Sequence, residues 1–300
     1  MNGSKKTLTL ELSDRTVSTV LPAFVVGILN CTPDSFFAQS RGGLEEAMRL
    51  VGEGADIIDV GAESTRPGSR YVDASEEIGR LVPVVSAIRK HSDIPISVDT
   101  RKGDVLLAAL DAGADMLNDV SALEDDAGMA DLVAKRHIPV VLMHKRGVPG
   151  TMQFQPLSVG SFGIVDSYLR SRVAYARERG IEARKIIVDP GIGFGKDDFA
   201  NAELVAMCGG LCGGEYPVLM SLSRKSFLGN ITGRAVGERL AGTISANLVS
   251  VLRGARMLRV HDVGACRDSL AVLQSILGPG FADADASCRP RLNTTLEKML

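Results

Sequence analysis

The sequence predicts an α/β protein in which eight strand–helix units close into a (β/α)8, or TIM, barrel preceded by an N-terminal β-hairpin. The first observation is a set of eight short apolar runs, rich in Val, Ile and Leu, as expected for strands buried on both faces. The second is that amphipathic stretches long enough for a helix separate most of these runs. The third is that each run ends on or near a polar residue. A closed barrel would gather those residues on the face where barrel enzymes build their sites.

The composition fits one barrel of about 250 residues with extensions better than two average domains. The 300 residues show even strand spacing, and their net charge of −2 comes from mixed charges, which predicts neither a nucleic-acid nor a membrane partner. No apolar stretch approaches the ~20 residues that span a bilayer, and the N-terminus lacks the apolar core of a signal peptide. Five cysteines without CxxC spacing indicate free thiols, so we expect a cytoplasmic protein.

The elements follow in order along the chain. A hairpin extension, the barrel and a C-terminal tail are predicted at 1–22, 23–278 and 279–300. Residues 7–20 alternate apolar and polar around a Ser13-Asp14 turn, which is typical of a hairpin, here expected to close the bottom of the barrel. The strand runs are FVVGIL, DIIDVG, ISV, DMLN, PVVLM, KIIV, PVLMSL and ARMLRV. The predicted helices are Leu44–Gly54, Ala74–Lys90, Gly103–Gly113, Ala127–Arg136, Val159–Arg179, Phe199–Cys212, Glu238–Arg253 and Cys266–Leu277.

Two glycine-containing motifs follow strands. GAESTRPG at 61–68 offers hydroxyls and a guanidinium through Thr65 and Arg66, which suits an anion such as phosphate. A plain surface loop with a solvated arginine is an equally good interpretation. DPGIGFGK at 189–196 has G-x-G-x-G spacing and fits neither the dinucleotide fingerprint nor the P-loop. What remains there is Asp189 at a strand end, with a turn that lets a flat ligand approach the backbone.

Two later motifs carry cations. SLSRKS places Lys225 beyond the seventh strand and Ser226 near a helix start, where a carboxylate or phosphate can bind. A simple helix cap beside solvated cations is the more common arrangement. In RVHD, Arg259 and His261 alternate and so face the same side of a strand. A single histidine is more often structural than functional, but the pair together favours a polyphosphate ligand.

The remaining strand-end residues favour recognition of a planar ligand. Asp99 and Asp189 alone would suit a paired-carboxylate acid/base site. Asn118 and Lys225 change that balance, because two carboxylates, an amide and an ammonium match a heterocycle rich in N–H and C=O groups. No motif indicates a metal cage built by the protein. A metal would therefore be Mg²⁺, held mainly by ligand phosphates with Asn30 assisting.

Taken together, these motifs resemble those of the dihydropteroate synthase family. They are GILNCTPDSF, DVGAESTRPG, ISVDT, LNDV, LMH, DPGIGFGK, SRKSFLG and RVHDV, and they run in the family's order over about residues 24–277. The resemblance implies a transferase of folate biosynthesis that condenses 4-aminobenzoate with 6-hydroxymethyl-7,8-dihydropterin diphosphate, giving 7,8-dihydropteroate and pyrophosphate. It also implies a sulfonamide target and a homodimer formed through late helices, with these small molecules as substrates.

The resemblance assigns roles residue by residue. The residues expected to hold or pack on the pterin ring are Asp99, Asn118, Asp189, Lys225, Phe194, Met143 and Arg259. Those expected to bind the diphosphate with Mg²⁺ are Asn30, Thr65, Arg66, Arg259 and His261. Ser226 would meet the carboxylate of 4-aminobenzoate, and Asn30 is the expected metal ligand. The residues expected to act in catalysis are Arg66, Asp99, Asp189, Lys225, Arg259 and His261.

The first loop departs from the family pattern. The family usually continues TPDSF with Ser-Asp-Gly-Gly, whereas here Ala38 stands in place of the aspartate. Either Asp34 takes over part of its task, or turnover is weakened. The resemblance implies that this loop borders the 4-aminobenzoate pocket, so sulfonamide sensitivity is expected to differ as well. A non-catalytic pterin-binding paralogue is therefore an alternative, as is a pterin-dependent methyltransferase domain. The combination of Arg66, Lys225 and His261 counts against the methyltransferase.

Overall fold

A computed structural model of the chain describes residues 7–31, 41–64, 71–147 and 154–278. Several residues singled out in the sequence lie outside these ranges. They are Asp34 and Ala38 of the first loop, Thr65 and Arg66 of the second, and the C-terminal tail.

The strands form a closed parallel barrel, which confirms the predicted fold. An antiparallel hairpin comes first, made of β1 (Leu8–Glu11) and β2 (Thr16–Thr19). The barrel strands are β3 (Phe24–Asn30), β4 (Ile57–Gly61), β5 (Ile96–Asp99), β6 (Met116–Asp119), β7 (Val140–Met143), β8 (Ile186–Asp189), β9 (Leu219–Met220) and β10 (Met257–Val260). They are hydrogen-bonded in the order β8-β7-β6-β5-β4-β3-β10-β9. A parallel bridge between Val188 and Val218 joins the two end strands and closes the ring.

Helices follow the strands and cover the outside of the barrel. They are α1 (Arg41–Gly52), α2 (Ala74–His91), α3 (Gly103–Asp111), α4 (Met129–Arg136), α5 (Ser161–Glu178), α6 (Asp198–Met207), α7 (Ser226–Thr232), α8 (Leu240–Leu252) and α9 (Val263–Leu277). The prediction of a single helix over 199–212 is wrong. The α-helix ends at Met207, and the glycine-rich segment Cys208–Gly214 forms a kinked 3₁₀ helix in which Cys212 has a φ of +50°.

An apolar layer fills the bottom of the barrel. Leu10 of the hairpin and Leu12 just beyond it are buried in one cluster with residues from the first halves of the strands. This lower layer consists of Leu10, Leu12, Phe24, Val26, Ile57, Met116, Val141, Ile187, Leu219 and Met257. Lys185 ties the hairpin down, because its buried ammonium donates to the carbonyl oxygen of Leu12 at 3.1 Å. The hairpin therefore closes the bottom of the barrel, as predicted.

Within the described ranges, no helix combines the length and the apolar character that crossing a membrane requires.

Candidate functional site

The upper interior of the barrel is polar. Side chains alternate in direction along a strand, so residues two positions beyond the lower layer also point inward. Asp59 follows Ile57 in this way, and Asp189 follows Ile187. The resulting upper layer consists of Asp59, Asn118, Met143, Asp189 and Arg259. The site is therefore built directly on top of the apolar layer.

Arg259 is the centre of a largely buried hydrogen-bond network. Its Nε donates to Asp59 Oδ2 at 2.6 Å, and its Nη2 donates to Asp99 Oδ2 at 2.9 Å. Asn118 Nδ2 donates to the same Asp59 oxygen at 3.1 Å. Asp59 is only 1% exposed, and its second oxygen is buried without a hydrogen-bond partner among the described residues. One guanidinium thus holds two carboxylates and leaves acceptor capacity for the donors of a ligand.

Burial controls the protonation of the carboxyl groups of Asp99 and Asp189. Burial raises the pKa of Asp99 to about 7, although the positive charge of Arg259 opposes the shift. Burial also raises the pKa of Asp189, while the backbone N–H of Gly191 and nearby cations oppose it. Because each carboxylate is costly to keep charged inside the barrel, a ligand that donates an N–H to it would favour the ionised form.

An aromatic ring and an ammonium lie beside Asp189. Lys225 precedes α7, and its Nζ lies 4.4 Å from the centroid of the Phe194 ring, a cation–π contact. Phe194 belongs to the turn after β8, and Asp189 Oδ1 accepts a hydrogen bond of 2.6 Å from Gly191 N–H in that turn. Met143 is paired with Asp189 in the sheet register. The structure therefore brings a flat surface together with donors and an acceptor, as recognition of a planar heterocycle requires.

The described residues expected to bind an anion come from two neighbouring strands, β3 and β10. Asn30 is exposed at the end of β3. His261 follows β10, and both its backbone N–H and its Nδ1 approach Ser223 Oγ, at 3.2 and 2.9 Å. Arg259, which the sequence pairs with His261 as a second cation, already has its charge balanced by Asp59 and Asp99.

Ser226 is the exposed first residue of α7, so the helix start predicted there is confirmed. Thr65 and Arg66 lie outside the described residues, but their surroundings are described. Glu63 accepts hydrogen bonds from Lys102 Nζ at 2.8 Å and from the backbone N–H of Val72 at 3.1 Å. Glu63 and Val72 flank the segment that carries Thr65 and Arg66, so a single carboxylate ties the two flanks together.

Sequence reasoning missed Asp59 and Lys196. Asp59 lies inside the run DIIDVG rather than at its end; its inward alternation with Ile57 is the signal that identifies it. Lys196 is buried, and its Nζ lies 2.9 Å from Nδ1 of His144, a residue to which the sequence assigns no role. Burial lowers the pKa of Lys196 to about 7, against the charge of Asp189, which raises it. Burial also lowers the pKa of His144 to about 3, so this imidazole is neutral.

The described residues contain no group of three His, Cys, Asp or Glu side chains placed to hold a metal ion. Asn30, exposed at the end of β3, offers an amide oxygen, a ligand that suits Mg²⁺ where phosphate oxygens and waters supply the others.

The fold and the site define a barrel enzyme that recognises a planar, polar ring at the carboxyl ends of its strands. A family model described as pterin binding enzyme matches residues 26–261 of the chain. Curated relatives point the same way. Dihydropteroate synthase of Haemophilus influenzae is 40% identical over 256 residues, covering 84% of this chain and 93% of the relative. That of Escherichia coli K12 is 38% identical over 261 residues, covering 84% and 91%.

Solved structures agree with this comparison. Xanthomonas albilineans dihydropteroate synthase with 4-aminobenzoic acid has a TM-score of 0.84 at 39% identity, covering 91% of this chain and 99% of that one. The Yersinia pestis enzyme in a sulfonamide drug complex has a TM-score of 0.85 at 33% identity, covering 90% and 99%. The chain belongs to the pterin-binding enzyme family and, within it, to the dihydropteroate synthases, which are transferases of folate biosynthesis.

Proposed function

We propose that the barrel mouth holds 6-hydroxymethyl-7,8-dihydropterin diphosphate with its ring on the upper layer and its diphosphate towards β3, β4 and β10. Asp99, Asn118, Asp189 and Lys225 bind the ring edge, while Phe194, Met143 and Arg259 pack on or near the ring. Asn30, Thr65, Arg66, Arg259 and His261 bind the diphosphate. Ser226 meets the carboxylate of 4-aminobenzoate.

One observation carries this proposal most strongly. Arg259 joins the buried carboxylate of Asp59 and the partly buried carboxylate of Asp99 by hydrogen bonds of 2.6 and 2.9 Å, and Asn118 adds an amide to the same cluster. Buried charges are costly, so a fold keeps such a cluster only where something compensates for it. The N–H and amino groups of a pterin ring supply the missing donors for these carboxylates.

The chemistry requires charge stabilisation more than proton transfer. The amine nitrogen of 4-aminobenzoate attacks the methylene carbon as its bond to the diphosphate oxygen breaks, and the electron pair leaves with pyrophosphate. The arylamine is uncharged near neutral pH and loses its proton after attack. Asp99 and Asp189 favour positive charge that develops on the ring, while Arg66 and His261 stabilise the departing diphosphate. Mg²⁺ on the diphosphate, assisted by Asn30, supplies further neutralisation when bound.

The working form is proposed to be a cytoplasmic homodimer. The outer helices support the dimer, because Val249 and Leu252 of α8 and Val272 and Ile276 of α9 are exposed apolar residues. Free, buried thiols in the described part of the chain support a reducing compartment, at Cys31, Cys208, Cys212 and Cys266. Sedimentation of the purified chain at about twice the monomer mass would support the dimer, and a monomer at micromolar concentration would contradict it.

A pyrophosphate-release assay with both substrates tests the proposed activity. Omitting 4-aminobenzoate should abolish release, and Lys225→Ala should lower kcat/KM about 100-fold, because a charged donor to the ring is lost. Lys145→Ala is the matched control. Lys145 is also a cation beyond a strand end, but it pairs with Asp125 at 3.0 Å and has no proposed role in binding. Binding of the pterin diphosphate without release would instead identify a non-catalytic paralogue.

The same assay addresses the first loop through Ala38→Asp. We expect the parent to release pyrophosphate and the variant to gain rate, because it restores the acidic residue that the family usually has there. Inhibition by a sulfonamide should accompany turnover in both proteins. An unchanged rate in the variant would show that the loop works without that carboxylate.

A further inference from the structure

A buried lysine holds the glycine-rich turn after β8. Lys196 is 3% exposed, and its ammonium donates to the carbonyl oxygens of Gly191 at 2.8 Å and Phe194 at 3.1 Å. It also lies 3.3 Å from the carbonyl oxygen of His144 and 2.9 Å from Nδ1 of that residue. One side chain therefore links both ends of the turn to the residue that follows β7.

The turn that Lys196 holds carries part of the site. Phe194, whose carbonyl oxygen accepts from Lys196, packs its ring against the ammonium of Lys225 at 4.4 Å. Gly191, whose carbonyl oxygen also accepts from Lys196, donates its own N–H to Asp189 Oδ1 at 2.6 Å. A shift of the turn would therefore move an aromatic face and reorient a buried carboxylate at once.

The turn fits closely against the end of β7. Gly191 has a φ of +67°, and a Cβ there would lie 1.9 Å from the carbonyl oxygen of His144. No other residue fits without displacing the backbone. Since the two loops are in direct backbone contact, the ammonium between them fixes their spacing rather than filling an empty space.

His144 is suited to accept the hydrogen bond from Lys196. Burial and the charge of Lys196 lower the pKa of His144 to about 3, so the ring is neutral, and Nδ1 accepts while the proton resides on Nε2. The ring of Tyr168 packs edge-on against it, with centroids 4.9 Å apart, and Tyr168 Oη donates to Glu124 at 2.9 Å. Tyr168 therefore helps, together with Lys196, to fix the orientation of the imidazole.

We propose that Lys196 and His144 form a positioning pair, which sets the turn after β8 and thereby the places of Phe194 and Asp189 in the pterin subsite. Neither residue need touch the substrate. The proposal rests on the binding of the pterin ring at this end of the barrel. It assigns a role to His144 and to Lys196, the lysine of DPGIGFGK. That segment matches neither the dinucleotide fingerprint nor the P-loop.

Steady-state kinetics of Lys196→Met test the pair. We expect the KM for the pterin diphosphate to rise at least about tenfold, because displacement of a binding loop by an ångström weakens the contacts it carries. The KM for 4-aminobenzoate should change much less. Lys185→Met is the matched control, because Lys185 is an equally buried lysine that donates to Leu12 and His137 carbonyl oxygens at the bottom of the barrel. It should leave both KM values unchanged.

A second pair of variants keeps the test decisive if Lys196→Met fails to fold. His144→Asn retains a polar group near the position of Nδ1 and should keep the parental KM, whereas His144→Phe retains the ring shape without the acceptor and should raise the KM for the pterin diphosphate. If the parent is active and His144→Phe has the same KM for the pterin diphosphate as the parent, the proposed positioning pair is overturned. An inactive parent would instead overturn the proposed function, so the two failures are distinguishable.

Discussion

The lower half of the barrel interior is apolar and the upper half is polar. The change from one to the other takes place over two residues of the same strand. On β8, Ile187 belongs to the apolar lower layer and Asp189 to the polar upper layer, and both are almost fully buried. On β4, Ile57 and Asp59 repeat the arrangement. The lower layer gains free energy from burial of apolar surface, about 25 cal/mol per Å². The upper layer buries carboxylates, whose desolvation opposes folding.

The difference shows how one fold separates stability from function. The lower layer and the hairpin hold the strands together, while the upper layer presents polar groups, among them an Asp59 oxygen that has no hydrogen-bond partner among the described residues. Burial raises the pKa of both Asp99 and Asp189, which is the physical sign that the ionised carboxylates are unfavourable in the barrel interior. Substitutions in the two layers should therefore have opposite consequences.

Asp189→Asn should have the largest effect on activity. The amide keeps the size of the side chain and can still accept from Gly191 N–H, but it presents no charged acceptor to the ring. We expect kcat/KM for the pterin diphosphate to fall about 100-fold, as for loss of a hydrogen bond to a charged group. The free energy of unfolding should stay equal or rise, because a buried charge has been removed. Urea denaturation beside kinetics would check both, and a large loss of stability would argue against the division between the layers.

Ile187→Ala is the matched substitution in the lower layer of the same strand. Ile187 is 1% exposed and packs in the apolar cluster beneath the site. We expect the free energy of unfolding to fall by about 2–5 kcal/mol through lost transfer energy and the cavity left behind. At a temperature where the variant is folded, its kcat/KM should match that of the parent. A loss of activity comparable to that of Asp189→Asn would contradict the comparison.

The smallest expected effect concerns pH. With a pKa of about 7, Asp99 gains a proton as the pH falls below neutrality. Binding of 6-hydroxymethylpterin, which lacks the titrating diphosphate, should weaken by up to about tenfold per pH unit there. The folded-state pKa lies above the ordinary 3.8, so the folded protein binds more protons between these values and its stability should decrease as the pH rises through that window.

Asp99→Asn should remove both pH dependences. Calorimetric titration from pH 5 to 8 would check the binding, and chemical denaturation over the same range would check the stability. Burial lowers the pKa of Lys196 to about 7, so this residue loses its charge above neutrality. Its titration would therefore affect binding on the alkaline side of the pH profile rather than on the acid side. Unchanged acid-side weakening in Asp99→Asn would assign that effect to another group.

The strand ends were predictable because apolar runs stop where polar side chains begin. Asp99, Asn118 and Asp189 were found in this way, and the structure confirms that each lies at or near the end of its strand. Asp59 escapes this rule because it lies inside its apolar run rather than at the end. Following the inward alternation from Ile57 would have found it.

Other features depend on contacts that no local pattern reveals. Lys196 and His144 are 52 residues apart in the chain and meet only because β7 and β8 are neighbours in the barrel. The break after Met207 was also missed, because the apolar spacing continues through the glycines of the 3₁₀ segment while the backbone does not. Periodicity predicts elements and faces, whereas partners follow from closure of the barrel.

Unfolding of the parent and of Asp189→Asn, each with and without 6-hydroxymethylpterin, tests the separation of the two layers most directly. The ligand should stabilise the parent by an amount that grows with its concentration. It should stabilise Asp189→Asn far less, although the variant without ligand should be at least as stable as the parent. Equal stabilisation of both proteins, or a variant that is several kcal/mol less stable without ligand, would contradict the view that the upper layer serves binding at a cost to folding.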